Sequence, residues 1–242
     1  MRTITSICQA FFSTLVGLLL LIAINGCSKE PLADANPSFW VWKGTDMKWV
    51  APGASIYLYQ GDYGLHPGEP VFIKRGVNPS AELANQTQVL LVRLYQRNAP
   101  ETLATQLIYL VKQWEAKGAH IREIQLDHDC PSMKLADYAK FIHKLNASLI
   151  EKNKPLSISV TGLATWLADN QSGLSELAEA SAYIHFQLYS DFHPLPQLEQ
   201  YLLRLKSYQF PYKLGVTTSP AFQYMEFVPN EKYQGTTIFL NK

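Results

Sequence analysis

The stretch Ile121-Arg-Glu-Ile-Gln-Leu-Asp-His-Asp-Cys-Pro131 decides the fold prediction, because an alternating apolar pattern runs directly into two acidic residues before a proline ends it. Side chains two residues apart on a strand project from the same face, with about 7 Å between their Cα atoms. Asp127 and Asp129 should therefore face one space together. Barrels of parallel strands carry their active sites at the carboxyl ends of the strands, so this pair is the first candidate for catalysis.

Short apolar or alternating runs recur along the chain, and segments with helical spacing separate the later ones. Strands that alternate with helices indicate βα units and a parallel sheet. A closed barrel and an open doubly wound sheet both satisfy this alternation. No strand is followed by a glycine-rich nucleotide-binding loop, and the number of runs favours an α/β fold of the (β/α)8, TIM-like barrel type. Residues 220–234 show no clear helical pattern, so a degenerate last unit is expected. The predicted strands cover residues 39–43, 55–60, 89–95, 121–127, 156–161, 183–189 and 213–218, with a possible eighth at 236–240, and the predicted helices cover 101–117, 133–150 with Ser132 as its cap, 173–180 and 195–208.

Four of the predicted strands have one apolar face and one polar face. A buried polar group without a partner costs roughly 1–3 kcal/mol, so the polar side chains must bond one another, trapped water or a ligand. A self-satisfied polar core is one interpretation. An open cleft at the carboxyl ends of the strands is the favoured interpretation, because acidic residues end a strand and a loop follows them directly. The polar positions are Arg93, Tyr95, Gln125, Asp127, Asp129, Ser157, Ser159, Thr161, His185, Gln187, Tyr189 and Asp191.

Two neighbouring carboxyl groups suit glycoside hydrolysis, in which one carboxyl donates a proton and the other acts as base or stabilises charge. We assign Asp129 as the candidate acid and Asp127 as the candidate stabiliser or base. Trp166 follows its strand closely and is the preferred platform for stacking on a sugar ring. The candidate substrate-binding residues are Arg93, Tyr95, Trp166, Gln187, Tyr189 and Asp191.

Other chemistries fit the residues less well. His128 should point away from both neighbouring aspartates in an extended strand, so no metal site is predicted, and no motif calls for a cofactor. Cys130 is followed by Pro131, and the sequence places no base beside it, so a buried structural thiol is the better interpretation. No Gly-x-Ser-x-Gly motif supports an esterase of the α/β-hydrolase type.

The first residues have the pattern of a secretory signal. Arg2 is the only charged residue before Lys29, and residues 10–24 are almost wholly apolar. The following Ile24-Asn-Gly-Cys27 resembles a bacterial lipobox, which implies cleavage before Cys27, diacylation of its thiol and acylation of its new amino group. An uncleaved anchor and an ordinary signal remain alternatives. The lipobox predicts a lipid-anchored protein of the bacterial cell envelope. The uncharged Ser28 after the cysteine favours the outer membrane, with the protein facing the periplasm.

These signals divide the chain into residues 1–26 as signal peptide, 27–38 as a polar tether, and 39–242 as a single barrel domain. The 21 basic and 20 acidic residues nearly balance, and no basic cluster stands out, so nucleic acid is not an expected partner. The apolar content of 47% indicates a folded domain. After cleavage, Cys130 is the only thiol outside the lipidated position, so packing must supply the stability.

Five runs carry a resemblance to a known family: Phe39-Trp-Val-Trp42, Ile124-Gln-Leu-Asp-His-Asp-Cys-Pro-Ser132, Leu135-Ala-Asp-Tyr138, Leu156-Ser-Ile-Ser-Val-Thr161 and Ala164-Thr-Trp-Leu167. With these runs, the chain resembles the bacterial family called domain of unknown function 3142 over about residues 39–218. The resemblance implies kinship with glycosidase barrels, including those whose fourth strand ends in D-x-D-x-E. Asp127 and Asp129 match the two aspartates, whereas Pro131 stands at the position of the glutamate. The proton-donating acid of chitinase-like enzymes is then missing, and hydrolysis would need another acid, such as Asp129 or Asp191.

Three functional hypotheses follow for the predicted barrel. The first is an envelope lipoprotein that hydrolyses a polysaccharide at the strand ends. The second is a non-catalytic lipoprotein that binds glycan or another protein through the same face. The third is a purely structural polar core, with the function elsewhere on the molecule.

Overall fold

The computed structural model describes residues 30–31, 37–168, 172–223 and 226–240. Within them, eight parallel strands pair in chain order, and the last pairs with the first, so the sheet closes into a barrel. This is the predicted (β/α)8 fold of the TIM type, and all eight predicted strands are present. The strands are β1 (Ser38–Val41), β2 (Ile56–Tyr63), β3 (Thr87–Leu94), β4 (Glu123–Asp127), β5 (Ser157–Leu163), β6 (Ile184–Gln187), β7 (Tyr212–Thr217) and β8 (Tyr233–Phe239).

Four helices of eight or more residues are present in the described ranges, one after each of the strands β3, β4, β5 and β6. In the described residues, the connections before β3 and after β7 contain only short elements. The expected degenerate last unit is therefore confirmed, and the first two units are also shortened. Ser132 is not the predicted helix cap, because it begins a 3-10 turn, Ser132–Lys134, three residues before the following helix. The helices are α1 (Pro100–Glu115), α2 (Leu135–Glu151), α3 (Ser172–Ala180) and α4 (Leu198–Leu205), and the short elements are Met47–Trp49, Phe72–Lys74, Ala81–Ala84, Ala164–Leu167 and Pro220–Gln223.

A two-residue strand pair, Glu30–Pro31 with Glu226–Phe227, lies outside the barrel sheet, as does the hairpin of Tyr189–Ser190 with His193–Pro194. The hairpin follows β6 and therefore stands at the carboxyl end of the barrel. No helix in the described ranges is long and apolar enough to cross a membrane.

The main hydrophobic core lies between the strands and the helices. Helices α1, α2 and α4 each bury a stripe of apolar side chains in this core. Full burial of one leucine or isoleucine side chain contributes about 1.5–3 kcal/mol. Trp114 of α1 is fully buried and donates a hydrogen bond from Nε1 to Oε1 of Gln60, at 2.8 Å. The outward-facing side chains that are fully buried include Leu58, Leu90, Ile124, Leu126, Val160, Ile184, Phe186 and Leu214.

A second cluster fills the interior of the barrel with aromatic and polar side chains. Trp40 packs on His185 with ring centroids 4.3 Å apart, and its Nε1 donates to Oε1 of Gln125 at 2.7 Å. Gly215 faces Trp40 from β7, and a Cβ atom there would collide with the indole ring. Gln125 in turn lies 3.1 Å from Nδ1 of His185 and 3.4 Å from the Ser159 hydroxyl. The middle of the interior is therefore closed, and these side chains contact one another there, while Nε2 of His185 is buried without a hydrogen-bond partner.

The amino end of the barrel holds a lower polar cluster formed by Glu123, Tyr57, Tyr183 and Lys213. Lys213 donates to the Tyr57 hydroxyl at 2.8 Å, the two tyrosine hydroxyls are 2.7 Å apart, and Tyr183 donates to Glu123. Burial raises the pKa of Glu123, against hydrogen bonds from Ser159 and Tyr183, and burial lowers the pKa of Lys213. The polar side chains of this cluster are hydrogen-bonded to one another. The interpretation as a self-satisfied polar core therefore holds for the amino end of the barrel.

Candidate functional site

A cleft of about 480 Å³ opens at the carboxyl end of the barrel, above the closed interior. It combines carboxylates, an arginine and an amide with large aromatic rings. Here the polar positions of β3, β4 and β6 reach an open space, as the cleft interpretation required. The cleft is lined by Trp42, Arg93, Asp127, Asp129, Leu163, Ala164, Thr165, Gln187, Tyr189, Ser190, Asp191, Leu195 and Phe239.

Asp127 lies at the floor of the cleft, at the last position of β4, and is only 7% exposed. The Thr161 hydroxyl donates to its Oδ1 at 2.7 Å, and Nε of Arg93 lies 4.0 Å from its Oδ2. Burial raises the pKa of Asp127, although the Thr161 bond and the Arg93 charge act in the opposite direction. The carboxyl group therefore retains its proton to a higher pH than an aspartate in water.

Asp129 has a different environment, two residues further along the chain. Its side chain is 58% exposed, and Nη2 of Arg93 donates to its Oδ2 at 2.9 Å. Arg93 also lies over the ring of Tyr95, with 5.7 Å from its guanidinium carbon to the ring centroid. Arg93 thus joins the two aspartates, one buried and one exposed, in a single charge network.

A bulge in β2 adds a carboxylate that the sequence prediction missed. The register between β2 and β3 shifts at Gly61, which brings Asp62 beside Arg93 on the neighbouring strand. Asp62 is buried, accepts a hydrogen bond from the Tyr59 hydroxyl at 2.7 Å, and pairs with Nε of Arg75 at 3.1 Å. Gly61 lies one residue beyond the predicted strand 55–60 but inside the observed one, and a glycine within a strand is a signal for such a bulge.

Four aromatic side chains form what we term the aromatic shelf: Trp42, Tyr189, Phe192 and Phe239. Tyr189 and Phe192 both stack on Phe239, with ring centroids 5.8 and 5.5 Å apart and interplanar angles of 12° and 16°. Trp42 meets Phe239 edge-on at 6.0 Å and stacks on Tyr59 at 4.1 Å. Trp42, Phe192 and Phe239 were not among the predicted site residues. Phe239 was missed because the eighth strand had only a weak pattern.

Trp166 is not a platform for a ligand. It is fully buried in the core outside the barrel, in the 3-10 turn that follows β5, and its Nε1 donates to the carbonyl oxygen of Cys130 at 2.9 Å. The prediction was wrong because this turn directs the indole away from the cleft and against the apolar helix layer. Tyr95 is also outside the cleft lining, where it is partly exposed and contacts Arg93.

The remaining predicted positions divide as follows. Gln187, Tyr189 and Asp191 line the cleft with the two aspartates and Arg93. His128 points away from the cleft, with Nδ1 at 2.7 Å from the carbonyl oxygen of Leu94, and Cys130 is buried. Cys27 and the predicted signal peptide lie outside the described residues. Within the described ranges, no group of three or more His, Cys, Asp or Glu side chains is placed to hold a metal ion.

The hairpin that follows β6 has an unusual turn. Asp191 and Phe192 have φ angles of 46° and 67°, and both are central residues of the two-residue turn between Ser190 and His193. Type I′ turns need this conformation and favour glycine, because the left-handed region costs other residues about 1–2 kcal/mol each. The Thr217 hydroxyl donates to the carbonyl oxygen of Phe192 at 2.8 Å and helps to hold the turn.

Fold and site define a TIM-type barrel with a polar and aromatic cleft at the carboxyl ends of its strands. The model of the family described as "Domain of unknown function (DUF3142)" matches residues 85–195, which confirms the family resemblance. The matched region contains β4 with both aspartates, and the hairpin turn. A comparison with curated proteins gave no match.

Among solved structures, concanavalin B is 12% identical, with a TM-score of 0.48, over 76% of this chain and 83% of its own. The ICChI chitinase from Ipomoea carnea is 14% identical, with a TM-score of 0.47, over 76% and 84%. The family 18 chitinase from Crocus vernus is 11% identical, with a TM-score of 0.41, over 88% and 87%. The assignment of the barrel itself rests on the strand pairings described above.

The raised pKa of Asp127 predicts how the Asp127→Asn substitution changes the pH dependence of stability. Below the unfolded-state pKa of about 3.9, Asp127 is protonated in both states. As pH rises above that value, the unfolded chain ionises first, so the unmodified protein loses stability that the asparagine variant keeps. The free energy of unfolding, measured by urea denaturation, should therefore increase in the variant relative to the unmodified protein as pH rises from acid to neutral.

The matched control is Asp137→Asn, an exposed position in the first turn of α2. It should show no comparable gain as pH rises. An Asp127→Asn variant whose relative stability stays flat or falls over the same range would contradict the assignment of a raised pKa.

Proposed function

We propose that this protein binds a glycan of neutral or amino sugars in the cleft at the carboxyl end of its barrel. The observation that carries the proposal is that three rings of the aromatic shelf line one open space together with polar side chains. The rings are Trp42, Tyr189 and Phe239, and the polar side chains are Asp129, Gln187 and Asp191. Sugar rings offer apolar C–H faces to aromatic rings, and their hydroxyl groups bond to carboxylates and amides. Ligand sites of this kind combine apolar walls with a few polar groups that fix orientation.

The charges of the cleft favour sugars without acidic groups. Among the described lining residues Arg93 is the only cation, and its guanidinium lies 2.9 Å from Asp129 and 4.0 Å from Asp127. No unpaired cation is therefore available at the lining for a uronic acid. The carboxylates of Asp129 and Asp191 would instead repel one.

Glycan binding is tested by retention of the protein on chitin, cellulose and β-1,3-glucan, compared with alginate and polygalacturonate. We expect binding to at least one polymer of the first group and none to the acidic polymers. Gln187→Ala should weaken that binding about three- to tenfold, as the loss of one hydrogen bond does. The matched control is Gln209→Ala, because Gln209 precedes β7 at the opposite end of the barrel. Preference for the acidic polymers, or no binding at all, would overturn the proposal.

Glycoside hydrolysis is the second candidate, and the different environments of the two aspartates favour it. Asp127 is buried with a raised pKa and is suited to hold a proton for the leaving oxygen. Asp129 is paired with Arg93 and is suited to stabilise positive charge or to activate water. This reverses the roles expected from the sequence. Pro131 at the position of the chitinase-type glutamate weighs against catalysis of that type.

Release of reducing ends from a bound polysaccharide distinguishes an enzyme from a binding protein. If the protein hydrolyses its ligand, Asp127→Asn should reduce turnover at least a hundredfold, as expected for loss of a general acid, while polymer binding is retained. Bound polysaccharide that yields no reducing ends with the unmodified protein would exclude hydrolysis and leave binding as the function.

We also propose that the protein is anchored by lipid on Cys27 to the outer membrane of a bacterial cell envelope, with the barrel facing the periplasm. The lipobox pattern and Ser28 support this. Stable anchoring needs at least two lipid chains, and the lipobox implies a diacyl group on the thiol and a further acyl chain on the amino group of Cys27. The Cys27→Ser variant should move from the membrane fraction to the soluble fraction and lose the mass of the lipid. A variant that fractionates like the unmodified protein would exclude this anchor.

A further inference from the structure

Phe192 stands at the mouth of the cleft, at the tip of the hairpin that follows β6. Asp191, beside it in the chain, lines the cleft, as does Phe239, on which Phe192 stacks. Phe192 itself is 41% exposed and is outside the cleft lining. The aromatic shelf therefore continues past the cleft onto the outer surface of the protein.

The turn that carries Phe192 is unfavourable for a phenylalanine. At φ 67°, glycine is the residue that a two-residue hairpin turn favours. Several contacts nevertheless hold the turn in this form, including the bond from Thr217 to the Phe192 carbonyl and the stack on Phe239. Strained residues held by their surroundings concentrate at functional sites, and an exposed ring in such a position contributes little to the core.

We infer that Phe192 is a second aromatic platform for the glycan, which contacts the part of the chain that emerges from the cleft. This inference rests on the proposed glycan binding and deepens it, because it assigns selectivity for the length of the chain. A disaccharide fills the cleft and does not reach Phe192. A longer oligosaccharide continues along the shelf, from Phe239 to Phe192.

The test compares Phe192→Gly with the unmodified protein by calorimetric titration. The probes are disaccharides and hexasaccharides of the chitin, cellulose and β-1,3-glucan series. We expect Phe192→Gly to weaken binding of the hexasaccharide about three- to tenfold, as the loss of one aromatic contact does. Disaccharide binding should be unchanged. The melting temperature should be unchanged or higher, because glycine suits the turn.

Three control variants separate an aromatic platform from general effects. Phe192→Tyr keeps a flat ring and should retain hexasaccharide binding, whereas Phe192→Leu keeps an apolar side chain without a ring and should not. Tyr109→Ala removes an exposed aromatic ring from α1, outside the site, and should change nothing.

The possible outcomes are distinguishable. Equal hexasaccharide affinity of Phe192→Gly and the unmodified protein overturns the inference and leaves glycan binding intact. An equal loss for disaccharide and hexasaccharide also overturns it, since Phe192 would then act on the cleft itself. An unmodified protein that binds none of these probes overturns the proposed function and this inference together.

Discussion

Closure of the parallel sheet imposes the main constraint on this molecule, because polar side chains that point into the ring meet water only at its two ends. Those in the middle must find partners within the protein. Trp40, Gln125 and His185 do so by direct contact. Glu123, at the amino end, accepts the Tyr183 hydroxyl in the lower polar cluster. At the carboxyl end, charged and hydrogen-bonding groups line an open cleft.

The chemistry of the cleft depends on how this constraint separates Asp127 from Asp129, two residues further along the chain. Asp127 ends β4 inside the ring, where burial raises its pKa. Asp129 lies beyond the strand and is mostly in water, where it pairs with Arg93. These two carboxyl groups are two residues apart, and one holds its proton more strongly while the other is ion-paired. Such a pair suits acid–base chemistry and equally suits a binding site.

Much of the fold was predictable because its signals are local. The alternation in β4, β5 and β6 predicted which side chains face inward, and the apolar stripes of α1 and α2 predicted which faces are buried. The predictions failed where one local irregularity redirects a side chain. The 3-10 turn after β5 sends Trp166 into the outer core, and the bulge at Gly61 brings Asp62 next to Arg93.

By itself, the sequence determined the alternation of strands and helices and the barrel class. It also determined which polar side chains face inward, because side chains alternate between the two faces of a strand. These side chains are Arg93, Asp127, Asp129 and Gln187. The tertiary structure alone decided the height of each side chain, which is its position along the barrel axis. It therefore decided which polar groups are sealed and which are open, and it assembled the aromatic shelf from β8 and the hairpin. Height depends on the stagger between strands that are distant in sequence, and no local pattern records that stagger.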